Sequence, residues 1–111
     1  MNWLRISEPA RRQIDEIYRY ISRESLQGVD NLVASLDSAF ELLTRYPKMG
    51  HRTVRGNTRM FAVPDYPYLI YFQYLPRLDE LRIRAVRHAA RRRSIDLREP
   101  GQEFRSAAAI S

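Results

Sequence analysis

Cysteine is absent from this 111-residue sequence. That excludes a disulfide framework, a Cys-ligated zinc site and a thiol nucleophile. Lysine is scarce as well: Lys48 is the single lysine among nineteen basic residues, and the other eighteen are arginine. No apolar run reaches the ~20 residues that a membrane-spanning helix needs. The N-terminal MNWLRISEPARR lacks the long apolar core of a secretory signal. No metal or cofactor motif occurs, and no internal repeat. The expectation is a cytoplasmic protein without membrane contact, cofactor or metal.

What is present is a basic chain with a folded composition. A hydrophobic fraction of 44% is that of a globular domain rather than a disordered one, and the length allows one modest core. The net charge of +6 is unevenly placed. Residues 1–46 hold six basic and seven acidic side chains, whereas residues 47–98 hold twelve basic and four acidic. An arginine-rich proteome accounts for the choice of arginine but not for this crowding. Guanidinium groups offer a planar fork of donors suited to phosphate or carboxylate, so a polyanion or an acidic peptide is the expected partner.

Asn2 to Ile6 is read as a short edge strand. Ser7-Glu8-Pro9-Ala10 starts a helix: Ser7 caps, Glu8 complements the dipole and Pro9 is tolerated in the first turn. Ala10, Ile14, Ile17, Tyr18 and Ile21 mark its apolar face, and it ends near Arg23 or Glu24. Gln27-Gly28 breaks the pattern, and a second helix runs from Val29 through about Tyr46. A polar loop follows to Asn57. Three strands are then predicted at Thr58–Val63, Tyr66–Leu75 and Glu80–His88, joined by turns at Pro64-Asp65 and Pro76–Asp79. In the last strand, Leu81, Ile83 and Ala85 are expected to face opposite to Arg82, Arg84 and Val86. Residues 1–93 form the domain, and 94–111 a tail. The fold class is α+β in the order β-α-α-β-β-β: an antiparallel β-sheet with an N-terminal helical hairpin packed on one face.

This order and its residues resemble the RelE/ParE superfamily of bacterial type II toxins. The resemblance rests on SEPA opening the first helix, Asp15-Glu16-Ile17 and Tyr20-Ile21 within it, and Tyr46-Pro47-Lys48-Met49-Gly50 after the second. Arg59, Pro67-Tyr68-Leu69-Ile70-Tyr71 and Ile83-Arg84-Ala85-Val86-Arg87-His88-Ala89-Ala90-Arg91 complete the set, spanning roughly residues 2–93. It implies a small cytoplasmic toxin held in a hetero-oligomer by a cognate antitoxin. RelE-like members cut mRNA on the ribosome, and ParE-like members poison DNA gyrase.

A metal-free ribonuclease needs a base, an acid and cations on the phosphate. His88, His51, Arg55, Arg59, Arg84, Arg87 and Arg91 are the available groups, with His88 and Arg91 the catalytic candidates. The plain alternative for His88 is a strand-end histidine bonded to backbone, and for His51 a solvated loop residue. RelE-like proteins place an arginine in the central strand, where this chain reads Tyr68-Leu69-Ile70-Tyr71. They also carry a catalytic tyrosine or lysine near the chain end, and none follows Arg93. The ParE-like branch is therefore favoured. A surface of Arg59, Arg84, Arg87, His88 and Arg91 is expected to meet gyrase, or ribosome and mRNA under the alternative. A basic nucleic-acid-binding domain without toxicity is a third reading.

Overall fold

The computed structural model describes residues 3–91; the tail expected at 94–111 lies outside the described residues. Strands β1 (Trp3–Ile6), β2 (His51–Arg52), β3 (Thr58–Ala62), β4 (Tyr68–Leu75) and β5 (Glu80–His88) form one sheet in the order β1-β5-β4-β3-β2. Helices α1 (Glu8–Ser22) and α2 (Leu26–Arg45) pack on one face. The α+β class and the helical hairpin are as expected.

Ser7 caps α1 through its hydroxyl, which accepts from the Ala10 N–H at 3.3 Å, and the helix ends at Ser22 with Arg23 as its cap. The second helix starts earlier than its apolar pattern suggested. Ser25 accepts from the Gly28 N–H at 3.0 Å, so Gln27 and Gly28 belong to the first turn of α2 rather than to a break. A β-carbon on Gly28 would lie 3.2 Å from the Ile21 side chain, and its absence lets the two helices approach across a tight connection.

Two further differences concern the sheet. β1 pairs with β5 in parallel, Ile6 opposite Ile83, so the sheet is mixed rather than wholly antiparallel. Tight turns oblige β3, β4 and β5 to alternate in direction, whereas β1 reaches β5 from the far end of the chain and is under no such constraint. The stretch expected to be loop contains β2, which pairs antiparallel with β3. Gly50 permits this at φ +87°, because a β-carbon there would meet the Met60 carbonyl at 2.5 Å.

The expected alternation of β5 fails at one residue. Tyr71 pairs with Ala85 but Phe72 pairs with Ile83, so Arg84 is the extra residue of a β-bulge. Leu81, Ile83 and Val86 consequently join the core under the helices, and Ala85 joins Met60, Leu69 and Tyr71 in a buried cluster on the opposite face. Burial on both faces explains why β4 reads as an almost unbroken apolar run. The helix-side core adds Leu32, Leu36, Phe40 and Leu43 from α2 and Ile14 from α1. Each such side chain contributes about 1.5–3 kcal/mol by leaving water.

α1 is tied to β5 by polar groups too. The Ser7 N–H bonds the Ile83 carbonyl at 3.0 Å, the Ser7 hydroxyl bonds the Arg84 carbonyl at 3.2 Å, and buried Gln13 accepts the Val86 N–H through Oε1 at 2.8 Å. Gln13→Leu keeps the bulk but removes that acceptor. It should cost about 1–3 kcal/mol in urea unfolding; a change under a few tenths would mean that Val86 finds another partner.

Candidate functional site

The strand register divides the arginines that the sequence put together. Arg59 pairs with Phe72, and Phe72 with Ile83, so Arg59 points to the helix face. Arg87 pairs with Leu69 and shares the opposite face with the Met60, Leu69, Tyr71 and Ala85 cluster. One surface holding Arg59 together with Arg84 and Arg87 is therefore not formed. Period-two alternation was read correctly in β3 and β4 but not past Ile83 in β5; the pairing between strands, which places the bulge and assigns faces relative to the helices, has no local signature.

Arg87 is buried, at 3% exposure, so it is not part of an open charged rim. Arg84 is half-buried at the bulge. Desolvation, then the charge of Arg82, lowers its guanidinium below the ordinary arginine value. His88 is exposed at the end of β5. Its Nδ1 accepts the Ala90 N–H at 3.0 Å, and its ring meets Tyr68 edge to face at 5.7 Å. The backbone-bonded strand-end reading of His88 thus describes its position. Arg91 closes the 3-10 turn Ala89–Arg91 three residues further on. His51 is exposed but sits in β2 opposite Met60, not in a loop. Arg55 lies half-buried in the connection between β2 and β3. Of the tyrosines at 66, 68, 71 and 74, two are buried and two half-buried, as packing requires.

Beside His88 opens a cleft of about 530 Å³ between α1 and the ends of β4 and β5, with Gln13 and Val86 among its lining residues and Glu16, Tyr20, Tyr68 and His88 around them. Burial, then the neighbouring Tyr20, raises the Tyr68 hydroxyl above its ordinary value, which keeps it a neutral donor. The cleft combines aromatic rims, a carboxylate and an imidazole. It has the polar groups to hold a ligand, and His88 could exchange a proton there.

Two features lie outside the candidate site residues read from the sequence. The first is Glu80, buried at 6% exposure, whose carboxylate takes Arg5 Nε at 3.2 Å and Arg82 Nε and Nη2 at 2.8 Å each. The two-residue spacing of Glu80 and Arg82 on a strand puts both on one face and was available as a signal. Arg5 comes from the other end of the chain and carried none. The second is a groove of about 690 Å³ between β1, α1 and α2, lined by Leu4, Ile14, Tyr18 and Phe40 with Asp15 and Asp37 at its sides. Trp3 and Leu4 continue it as exposed apolar residues along the outer strand.

A sequence model of the family described as ParE toxin of type II toxin-antitoxin system, parDE, matches residues 4–93. The chain belongs to the ParE toxin family. It is 31% identical over 64 residues to the candidate toxin Y4kP of Sinorhizobium fredii, covering 58% of this chain and 67% of that protein. A solved structure from the chromosomal ParDE TA system of P. aeruginosa shares the fold at a TM-score of 0.67 and 16% identity, covering 79% of this chain and 96% of that one. As a ParE-family member the protein is a toxin of the type II toxin–antitoxin class, and the matched residues take in both helices and all five strands.

The groove makes a measurable electrostatic claim. Burial first, then Asp37 and Asp15, raises the Tyr18 hydroxyl above its ordinary value of 10.0. A raised folded-state value contributes stability that is complete below pH 10.0 and is lost as pH rises through the folded value. Asp37→Asn should lower the alkaline titration of Tyr18, assigned by difference against Tyr18→Phe. An unmoved titration would remove Asp37 from the wall of the groove.

Proposed function

We propose that this ParE-family toxin inhibits DNA gyrase and is neutralised by a cognate antitoxin, acting in the cytoplasm. The observation that carries the reading is the family match across residues 4–93. The inhibition needs no chemistry from the protein: it requires a surface that engages the enzyme or the DNA it holds. His88 and Arg91, at the end of β5, are the groups proposed for that contact, with Arg84 at the middle of the strand as a second, separate point of attachment. Buried Arg87 supports them from within the sheet.

The antitoxin is proposed to occupy the groove between β1, α1 and α2. Its apolar floor and acidic sides suit an amphipathic segment carrying basic residues, and β1 is an outer strand of the sheet along which an extended segment can add. Antitoxin and target then meet different parts of the molecule. Neutralisation follows if the bound antitoxin extends along the molecule to the far end of β5 or holds the toxin away from gyrase.

A ribosome-dependent ribonuclease is the second reading, and exposed His88 beside a cleft is the observation in its favour. With Nδ1 bonded to backbone, Nε2 is the nitrogen left to exchange a proton with a substrate. Burial of Arg87 counts against it, since transition-state stabilisation needs the guanidinium at the phosphate.

Supercoiling by purified gyrase should fall on addition of the wild-type protein, with cleaved DNA accumulating. Arg84→Ala with His88→Ala should weaken that effect by about tenfold or more, as loss of one or two charged contacts does. Undiminished supercoiling at large excess would remove gyrase as the target. Codon-specific mRNA cleavage abolished by His88→Ala would establish the second reading instead. Antitoxin binding has its own reporter, because Trp3 is the single tryptophan and is 74% exposed. Addition of the antitoxin encoded beside this gene should shift Trp3 emission to shorter wavelength, and Asp37→Arg should weaken the titration. An unaltered spectrum in a formed complex would place the antitoxin elsewhere.

A further inference from the structure

The sheet has two outer strands, β1 and β2, and the proposed antitoxin groove and target surface leave β2 unused. Around it, residues 46–64 contain Lys48, Arg52, Arg55 and Arg59 and no aspartate or glutamate. The β2–β3 register sets Arg52 directly opposite Arg59. Side chains in such a pair share a face with β-carbons about 5 Å apart, and like charges there repel. Arg59 Nη1 makes a long bond of 3.4 Å to the Gly50 carbonyl, which is neutral. Among the described residues, no carboxylate forms an ion pair with Lys48, Arg52 or Arg59. The C-terminal end of α2, capped by Tyr46, adds only a fraction of a negative charge.

This contrasts with the other arginine group. Arg5 and Arg82 converge on one buried carboxylate, so half of their charge is answered within the fold. Arg52 and Arg59 face each other at the β2 edge without that answer, and exposed Lys48 lies in the turn just before the strand. A surface of this kind gains most from an external anion that supplies several negative charges at once.

We propose that the β2 edge, through Lys48, Arg52 and Arg59, binds the phosphate backbone of duplex DNA without reading its sequence. The site goes beyond inhibition of gyrase, since it needs no enzyme to be present. Single-stranded nucleic acid is held by successive aromatic platforms as well as charge, and Tyr46 is the one tyrosine, tryptophan or phenylalanine between residues 46 and 60. An acidic peptide gains its affinity from apolar anchors beside its charges. The two apolar clefts described above lie between α1 and neighbouring elements, away from β2, and a third, of about 290 Å³ between α2 and the end of β3, carries Asp65 in its wall, which disfavours an acidic chain. Because β1 and β2 are opposite edges, a segment seated along β1 leaves this surface open.

Fluorescence anisotropy with a labelled duplex of arbitrary sequence and the full 111-residue chain tests this, with gyrase absent. Binding should weaken with salt, with a slope of about −0.9 per phosphate neutralised. The triple change Lys48→Gln, Arg52→Gln and Arg59→Gln should flatten that slope by roughly 2 to 3. Arg52→Gln alone, on an exposed two-residue strand, should flatten it by about 1 while raising the melting temperature slightly, since a like-charged neighbour is removed. Failure of the wild-type chain to bind duplex at low salt would overturn the proposal, as would equal slopes for wild type and triple variant. Tighter binding of single-stranded RNA or of polyglutamate through the same three residues would also overturn it. None of these outcomes depends on whether gyrase is inhibited.

Discussion

Strand β5 must satisfy hydrogen-bonding groups on both sides over nine residues, yet β1 accompanies it for only four. A buried strand cannot leave the remainder unpaired, because each orphaned group costs about 1–3 kcal/mol. Helix α1 supplies what β1 does not. Ser7 serves the Arg84 carbonyl and Gln13 the Val86 N–H, so the residue that caps the helix and a residue two turns into it complete the strand. The arrangement fixes α1 along β5, and with it the cleft beside His88.

The bulge at Arg84 belongs to the same constraint. It reverses the alternation of β5 for its last residues, which sends Val86 under the helices and Ala85 and Arg87 to the other face. Without it, Val86 would leave the helix-side core and the N–H that meets Gln13 would point elsewhere. A single inserted residue thus decides both the packing of α1 and which arginines stand together. Functional proposals based on arginine count alone miss this, since the chain has eighteen and the register sorts them by face.

Charge in this fold is handled in two ways. At the β1 end, two arginines share the one carboxylate of buried Glu80, a geometry that holds β1 in place and offsets one of their two charges. At the β2 end, Arg52 and Arg59 face each other and, among the described residues, no carboxylate forms an ion pair with them or with nearby Lys48. Between them lies the groove with Asp15 and Asp37, acidic on a basic molecule. The antitoxin groove proposed along β1 and the DNA surface proposed at β2 lie at opposite edges of one sheet, so they do not compete.

The α+β class, the helical hairpin, the Ser7 cap and the family were legible in the sequence, because these follow from local periodicity, caps and ordered motifs over short spans. Of the two readings it offered for His88, the strand-end histidine bonded to backbone describes its position. Tertiary structure alone decided that β1 runs parallel to β5, that His51-Arg52 forms a strand and that Arg84 is a bulge. It also decided that Arg59 and Arg87 lie on opposite faces and that Arg5 meets Glu80 across 75 residues of chain. These depend on pairing between distant segments. A one-residue change of register moves every following side chain to the other face, and nothing in the neighbouring residues records which register is adopted.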